Sequence, residues 1–258
     1  VEINPEFADA HNNLGVVLER LKQYEDAIMS FEKACLINPN IDYILGNILG
    51  AKMNSCDWDN LSNLLNNASN TIIKNKKVVD PFNLMAWIDD PALQRKATEI
   101  RVNNDYPKNH ILPSINKYTK HSKIRIGYFS PDFREHPVGF LTAGLYELHN
   151  RDQFEIYAFS FGVDTKDKLN LRIKEGVDHY YDVDLMSHIE IVTLTRSLEI
   201  DIAVDLAGLT AESRTELFAI SVAPIQLCYL GFLGTMGADY YAYLIADPVL
   251  IPEENQKY

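Results

Sequence analysis

The sequence predicts α-helical hairpins at its start and, after them, an α/β domain with a mostly parallel sheet. Two observations carry this prediction. The triplet Ile-Asn-Pro at residues 3–5 recurs at residues 37–39, an interval of 34 residues, and apolar residues between the copies have helical spacing. From Lys123 onward, strand-like and helix-like apolar runs alternate, as in β-α-β units.

The first forty residues predict one repeat of two helices. Apolar residues at helical spacing occupy residues 10–21 and 24–34. An interval of 34 residues is the period of a tetratricopeptide unit, in which Gly15 would let the helices approach and Pro39 would end the second one. The alternative is an ordinary antiparallel helix pair without a repeat.

The repeat region is expected to extend beyond this pair. Residues 41–50 and 58–73 keep a helical spacing, so we assign residues 1–75 to the repeat and its capping helices. A single repeat cannot bury its own faces, which leads us to expect further repeats before Val1. Four prolines then punctuate residues 76–122, which we interpret as a helical junction.

Residues 123–258 predict a Rossmann-like, doubly wound parallel sheet. The strand-like runs are residues 123–130, 154–161, 178–184, 201–208, 225–231 and 239–247. The helix-like runs between them are residues 138–150, 167–176, 187–200 and 212–220. Such alternation favours right-handed crossovers with helices on both faces of the sheet, and ligands bind beyond the carboxyl ends of its strands.

That rule selects four loops, of which the first carries His136 and Pro137 at the start of a predicted helix. The four loops are residues 130–138, 183–187, 207–214 and 230–239. A histidine beside a helix N-terminus titrates near neutral pH and lies next to backbone N–H groups that favour anions. A purely structural loop histidine is the alternative.

The third loop places Thr210 four residues before Arg214. With a helix starting near Ala211, Arg214 would reach back toward the loop, where its guanidinium suits a phosphate or a carboxylate. The alternative is a solvated ion pair with Glu212 or Glu216.

The fourth loop contains Gly231, Gly234 and Gly237 at intervals of three residues. Glycines at this density let a backbone wrap a ligand or make tight turns. The loop lacks the Gly-Lys-Ser/Thr of a P-loop, and the chain lacks the dinucleotide-binding pattern after its first strand, so a common nicotinamide-binding domain is disfavoured.

His179 begins a predicted strand, and its alternative role is structural, with Asp178 or the backbone as its partner. No His, Cys or Asp cluster has metal-ligand spacing, and no Gly-x-Ser-x-Gly elbow is present. We therefore expect chemistry that needs neither a metal nor a cofactor.

Composition excludes several partners. A formal net charge of −12 disfavours nucleic acid, and no apolar run reaches the length of a membrane span. Three cysteines give no closed disulfide framework, and the first thirty residues lack a signal-peptide pattern. These features predict a cytoplasmic or nuclear chain that contacts neither membrane nor nucleic acid.

The motifs together resemble a known family. The segments "RIGYFSPDFREHPVGFL" and "GLTAESRTELFAISVAPIQLCYLGFLGTMGADYY", placed after a tetratricopeptide unit, are similar to the protein O-linked N-acetylglucosamine transferase family, including its SPINDLY-type members. The resemblance covers essentially the whole chain. It implies a GT-B architecture, in which two Rossmann-like domains face a cleft and the repeats feed protein acceptors to it. This chain is then expected to contain the first domain and to lack the second.

The resemblance also implies roles for individual residues. It makes His136 a catalytic residue, either as a base or as a contact to sugar and acceptor, and His179, which matches less tightly, a second cleft histidine. The residues it implies in sugar or acceptor binding are Thr210, Arg214, Gly231, Gly234 and Thr235. Leu233 replaces a proline common in the family, and "HPVGFL" differs from the "HPTSHL" of animal members, which leaves the donor sugar open.

The implied reaction is inverting, metal-independent transfer of N-acetylglucosamine from UDP-GlcNAc to Ser or Thr hydroxyls of proteins held by the repeat groove. Since the second domain would grip most of the nucleotide sugar, this chain alone is expected to be inactive. Two alternatives stay open. One is transfer of fucose or glucose by the same kind of enzyme, and the other is a non-catalytic scaffold whose repeats bind peptides.

Overall fold

The computed structural model describes residues 4–115, 118 and 121–257. Ile3, in the first Ile-Asn-Pro triplet, lies outside the described residues, as do four positions of the predicted 76–122 junction and residue 258. The Cα positions divide the chain into two compact units that meet in sequence between Arg101 and Val102. The predicted boundaries at 75/76 and 122/123 stay predictions.

The first unit is helical. Six helices precede the first strand in the described part of the chain: α1 Ala8–Arg20, α2 Tyr24–Ile37, α3 Ile44–Asn54, α4 Leu61–Ile73, α5 Pro81–Trp87 and α6 Pro91–Asp105. Each of the first four falls on a segment whose apolar spacing predicts a helix. The sixth crosses the division between the units.

The pair α1 and α2 packs as the repeat pattern predicts. A Cβ added at Gly15 would lie 2.5 Å from the Phe31 ring, so glycine is what lets that fully buried ring sit against α1. Ala27 is fully buried as well, and Phe31 extends the same apolar cluster to Ile44 and Ile48 of α3. Burial of one aromatic ring of this size contributes about 1.5–3 kcal/mol to stability.

The second unit is an α/β domain with six parallel strands. The strands are β1 Ile124–Ser130, β2 Phe154–Ser160, β3 His179–Asp182, β4 Ile202–Asp205, β5 Ile225–Tyr229 and β6 Tyr243–Ile245. Their order is β3-β2-β1-β4-β5-β6, and each neighbouring pair is parallel. The helices between them are α7 Pro137–Leu148, α8 Lys168–Gly176, α9 His188–Ser197 and α10 Glu216–Ile220. The predicted alternation and the parallel sheet are confirmed.

Both faces of the sheet are covered, as a doubly wound fold requires. On one face, Tyr128 and Ile156 pack with Tyr146 of α7 and Ile173 of α8. On the other face, Phe129 stacks on Phe159 at 4.7 Å and meets Phe218 of α10 edge to face at 5.5 Å. The helices therefore leave the strand ends and their loops as the accessible edges of the sheet.

One predicted helix start is wrong. We expected a helix from about Ala211, but α10 begins at Glu216. Glu212 has a positive φ of 59°, which a right-handed helix does not allow, and the Thr215 hydroxyl donates back to the carbonyl oxygen of Gly208 at 2.9 Å. Arg214 therefore lies in the loop before α10 and not on its first turns.

Candidate functional site

The candidate site lies where the strand order reverses, at the carboxyl ends of β1 and β4. From β1 the chain proceeds to β2 and β3 on one side and then returns to β4 on the other side of β1. In open parallel sheets ligands bind at such a switch point, because the loops there diverge and leave a crevice. Residues 131–136 and 206–215 are the two loops, and they carry His136, Thr210 and Arg214.

Hydrogen bonds from the start of α8 hold the loop 131–136 in place. The buried Asn170 side chain donates from Nδ2 to the carbonyl oxygen of Phe133 at 2.7 Å. The backbone N–H of Glu135 donates to Asp167 Oδ2 at 2.9 Å, and Asp167 also caps α8. The loop is thus ordered by the fold itself, which reduces the entropy lost when a ligand binds.

Two glycines let this loop lie against its neighbours. A Cβ added at Gly139, in the first turn of α7, would lie 2.2 Å from the carbonyl oxygen of Arg134. A Cβ added at Gly162, just after β2, would lie 2.0 Å from the carbonyl oxygen of Pro131. Neither contact was predicted from the sequence. The available signal was a glycine in the first turn of a predicted helix, where its low helix propensity calls for another explanation.

His136 caps the N-terminus of α7 with its ring. Its Nδ1 accepts from the backbone N–H of Val138 at 3.3 Å, and Pro137 occupies the first helical position. The carboxylate Oδ2 of Asp132 lies 3.5 Å from the same Nδ1. Both contacts use Nδ1 and the side chain is 38% exposed, so Nε2 is the atom available to a ligand.

A chain of charged side chains joins the two loops of the switch point. Arg134 Nη2 donates to Asp132 Oδ1 at 3.1 Å and to Glu212 Oε2 at 3.5 Å. Asp132 is largely buried, whereas Glu212 is exposed, so the second contact is the weaker of the two. Asp132 therefore lies between Arg134 and His136, one carboxylate oxygen on each.

Arg214 fixes the loop that follows β3. Its Nη1 donates to the carbonyl oxygen of Met186 at 2.8 Å, and its Nη2 donates to that of Asp184 at 2.5 Å. The guanidinium also lies over the Phe161 ring, 5.6 Å from its centroid. In the described residues its partners are carbonyl groups of the second loop and the Asp184 carboxylate, 3.9 Å away, and not Glu212 or Glu216 as in the alternative interpretation. A role of Arg214 in ligand binding stays a prediction.

Thr210 closes a tight turn after β4. Its Oγ1 donates to the carbonyl oxygen of Ala207 at 2.9 Å, and its side chain is partly exposed. Gly208, within the turn, has a φ of +60°, a conformation that favours glycine. Thr210 thus lies in the same switch-point loop as Glu212, the carboxylate to which Arg134 donates.

The fourth loop packs closely against the third one. A Cβ added at Gly231 would lie 1.9 Å from the carbonyl oxygen of Leu206, and one added at Gly208 would lie 2.5 Å from Cβ of Phe232. The two other predicted residues of this loop, Gly234 and Thr235, lie between β5 and β6. The loop after β5 is thereby attached to the loop after β4.

A buried carboxylate at the end of β4 escaped the sequence analysis. Asp205 is 2% exposed; its Oδ1 accepts from the backbone N–H groups of Ala207 and Gly208, both at 2.9 Å, and its Oδ2 accepts from the Tyr241 hydroxyl at 2.5 Å. Burial raises the pKa of this carboxyl, although the three hydrogen bonds oppose the shift. The signal in the sequence was an aspartate at the end of a strand, directly before a glycine-containing turn.

His179 lies apart from the switch point. It is the first residue of β3, an edge strand, and its Nε2 bonds Glu155 Oε1 at 2.9 Å. Glu155 is near the amino end of β2 and also accepts from Arg125 Nε at 3.1 Å. Burial opposes ionisation of Glu155, but the bonds from His179 and Arg125 outweigh it and lower its pKa. The structure thus does not bring His179 together with the loop of His136, and a catalytic role of His179 stays a prediction.

The hydrogen bonds of Asp167 that stabilise the loop of His136 are expected to weaken at low pH. The Thr165 hydroxyl and the N–H groups of Glu135 and Asn170 hold the pKa of Asp167 at about 2. Because this value lies below the ordinary one of about 3.9, the stabilisation is present above pH 4 or so and is lost as pH falls toward 2. Urea denaturation between pH 2 and pH 6 should show that acidification lowers the free energy of unfolding less for Asp167→Asn than for the wild type. An equal decrease in the two proteins would contradict this role of Asp167.

Within residues 4–115, 118 and 121–257, no group of three His, Cys, Asp or Glu side chains is placed to hold a metal ion. Over the same residues, no helix combines the length and the apolar character needed to cross a membrane.

Known proteins resemble this chain over both of its parts. Among curated relatives, the probable UDP-N-acetylglucosamine–peptide N-acetylglucosaminyltransferase SEC of Arabidopsis thaliana is 36% identical over 130 residues, 50% of this chain and 13% of the relative. The probable enzyme SPINDLY of Hordeum vulgare is 32% identical over 138 residues, 52% of this chain and 14% of the relative. The chain thus spans only a small part of these relatives.

A solved structure shows the same fold. A mutant of Thermobaculum terrenum O-GlcNAc transferase superimposes with a TM-score of 0.67 at 23% identity, over 99% of this chain and 50% of the other. Residues 8–41 match the tetratricopeptide repeat profile, which confirms the predicted repeat. Residues 98–258, more than half of the chain, match the profile described as glycosyl transferase family 41. The chain belongs to glycosyl transferase family 41.

Proposed function

We propose that the protein containing this chain is an inverting glycosyltransferase that moves N-acetylglucosamine from UDP-GlcNAc to Ser or Thr hydroxyls of proteins. The observation that carries the proposal is His136, which is held at the switch point of the sheet with Nε2 available to a ligand. Support for the donor comes from the names of the curated relatives, which are peptide N-acetylglucosaminyltransferases. The residues assigned to sugar or acceptor contact are Thr210, Arg214, Gly231, Gly234 and Thr235.

The reaction needs a proton acceptor near the hydroxyl. The hydroxyl oxygen bonds to the anomeric carbon, the bond from that carbon to the diphosphate oxygen breaks, and the hydroxyl proton goes to a base. For Nε2 of His136 to accept it, Nδ1 must carry the other ring proton, and the nearest acceptor for that proton is Asp132 Oδ2 at 3.5 Å. When Nδ1 instead caps Val138, Nε2 carries the proton and acts as a hydrogen-bond donor to sugar or acceptor.

Asp132 therefore decides between these two roles of His136. Asp132 and the N–H of Val138 compete for the same ring nitrogen, so a base role needs the carboxylate and a donor role does not. The proposal assigns the base role to the pair formed by His136 and Asp132. No metal or cofactor enters the proposed step.

A base accounts for only part of the catalysis. General-base assistance gives roughly 10²–10⁴ in rate, whereas enzymes commonly reach far more, so the remainder must come from positioning and from stabilising the departing diphosphate. The two arginines described at this edge, Arg134 and Arg214, are engaged with carboxylates and backbone carbonyls. We therefore assign leaving-group stabilisation to groups outside this edge.

Acceptor proteins are proposed to bind along the repeat. The hairpin of α1 and α2 forms a groove lined in part by Leu14, Leu18 and Met29, with Lys33 and Asp26 beside them. Leu14 and Met29 are exposed side chains, which gives an extended peptide an apolar surface between charged residues. The groove thus suits a polypeptide better than it suits a small polar ligand.

The donor is tested by calorimetry on the complete protein. Titration with UDP-GlcNAc, GDP-fucose and UDP-glucose is expected to give the tightest binding for UDP-GlcNAc. Tighter binding of GDP-fucose or UDP-glucose would keep the enzyme class and change the donor. Absence of binding by all three, together with retained binding of acceptor peptides, would identify a scaffold and overturn the proposal.

A further inference from the structure

The starting observation is that one buried carboxylate touches two loops at once. Asp205 Oδ1 accepts from Ala207 and Gly208 at the start of the third loop, and its Oδ2 accepts from the Tyr241 hydroxyl, just beyond the fourth loop. Tyr241 follows the residues Gly231, Gly234 and Thr235 and precedes β6. The carboxylate therefore bridges the start of one loop and the end of the other.

A second observation shows that the same two loops are in direct contact. Gly231 lies against the carbonyl of Leu206, and Gly208 lies against Phe232, with no room for a Cβ at either glycine. Thr215 adds a hydrogen bond from its hydroxyl to the carbonyl oxygen of Gly208. The two loops thus form one packed layer, which we call the two-loop platform, residues 206–215 and 230–239.

Burying a carboxyl group at this position costs stability, so we expect a role for Asp205 that depends on the geometry of its hydrogen bonds. A buried carboxyl group without hydrogen-bond partners is strongly destabilising, so the three donors to Asp205 offset part of the cost of its burial. Leaving a buried carboxyl oxygen without its partner costs more free energy than the hydrogen bond itself contributes. Loss of the Tyr241 hydroxyl would leave Oδ2 without the partner that ties the fourth loop to β4.

We propose that Asp205, acting through Tyr241, is a positioning residue that sets the two-loop platform at the distance from His136 needed to hold the donor sugar. This inference rests on the proposed function, because the ligand of the platform is the sugar of the nucleotide donor. Neither Asp205 nor Tyr241 touches the reacting atoms. Both act by fixing the loops that carry Thr210 and Thr235.

The experiment compares two neighbouring tyrosines in the complete protein. Tyr241→Phe removes the hydroxyl on Asp205, whereas Tyr240→Phe removes a hydroxyl that donates to the carbonyl oxygen of Tyr106 at 3.2 Å. Initial rates give kcat and KM for UDP-GlcNAc, and thermal melting gives Tm. Tyr241→Phe is expected to lower kcat/KM about tenfold, mainly through a higher KM for the donor. Tyr240→Phe is expected to leave both kinetic constants unchanged.

A double-mutant cycle tests whether Asp205 and Tyr241 act through one contact. Asp205→Asn keeps an oxygen for the two N–H groups but places an amide opposite the tyrosine hydroxyl. The double variant Asp205→Asn/Tyr241→Phe is expected to be no less active than the more impaired of the two single variants. Losses that multiply would show independent effects and would overturn the proposed bridge.

Hydrogen exchange separates this inference from the proposed function. Amide exchange in residues 206–215 and 230–239 is expected to become faster in both loops of Tyr241→Phe and to stay unchanged in Tyr240→Phe. Equal kinetics and equal exchange for the two variants would reduce Asp205 to a structural residue. If the wild-type protein transfers no sugar but exchange still couples the loops, the proposed function fails and the sugar-positioning role falls with it, while the bridge between the loops stands.

Discussion

Replacing His136 with alanine in the complete protein is expected to lower kcat for sugar transfer by about 10²–10⁴, the usual contribution of a general base. Both observed contacts of the His136 imidazole use Nδ1, which leaves Nε2 available to a ligand, and Nδ1 has a carboxylate oxygen of Asp132 within 3.5 Å. Initial rates with UDP-GlcNAc and an acceptor peptide measure the loss.

The alanine variant alone would mix two effects, since His136 also caps α7. Removal of an N-cap costs about 0.5–2 kcal/mol of stability. His136→Asn is the matched control, because asparagine is a good N-cap but cannot take the proton. We expect His136→Asn to melt close to the wild type and to be as inactive as His136→Ala. Wild-type rates in the asparagine variant would leave His136 with a capping role only.

The base role and the donor role of His136 are separated by Asp132. If Nε2 is the base, Asp132→Asn removes the carboxylate that accepts the second ring proton and lowers kcat, with little change in KM. If Nε2–H is a donor, kcat stays near its wild-type value, because the cap on Val138 already fixes that tautomer. The same rate assay decides between the two.

Gly139→Ala is expected to lower the free energy of unfolding by about 1–3 kcal/mol. The new Cβ would lie 2.2 Å from the backbone carbonyl oxygen of Arg134, and neither backbone can move without disturbing the loop of His136. Urea denaturation of the 258-residue chain, followed by circular dichroism, measures the change.

Gly144 provides a control on the same helix. A Cβ added there meets nothing within 4 Å, so Gly144→Ala should raise stability by up to about 1 kcal/mol through the better helix propensity of alanine. The two variants make the same chemical change in one helix, and their changes in the free energy of unfolding are expected to have opposite signs. Destabilisation of both by similar amounts would show that the close approach at Gly139 is not the cause.

The order of elements was predictable because it depends on local patterns. Strands buried on both faces need nearly continuous apolar runs, as in residues 124–130, and the helices between them need one apolar face. The period of the apolar residues therefore separates strands from helices. The start of α10 was not predictable in this way. It depends on the positive φ of Glu212 and on the bond from Thr215 to Gly208, neither of which leaves a mark in the apolar pattern.

The candidate site was predictable only in outline. Topology places functional residues on loops at carboxyl ends, which led to His136 and Thr210 at the switch point. The groups that hold those loops, among them Asn170, Asp167 and Asp205, become visible only when distant segments meet. The true partner of Arg214, the backbone of residues 184–186, is likewise a tertiary contact that no spacing rule contains.

The contact between Gly208 and Phe232 restricts which substitutions these two loops can accept. A side chain gained at position 208 has to be matched by a loss of bulk at position 232, and one gained at 231 has to be matched by a shift of residue 206. A mutant library that diversifies either loop by itself will therefore yield mostly misfolded proteins. Libraries that vary both loops jointly are expected to retain more folded proteins and, on the proposed function, are the ones in which to search for altered donor selectivity.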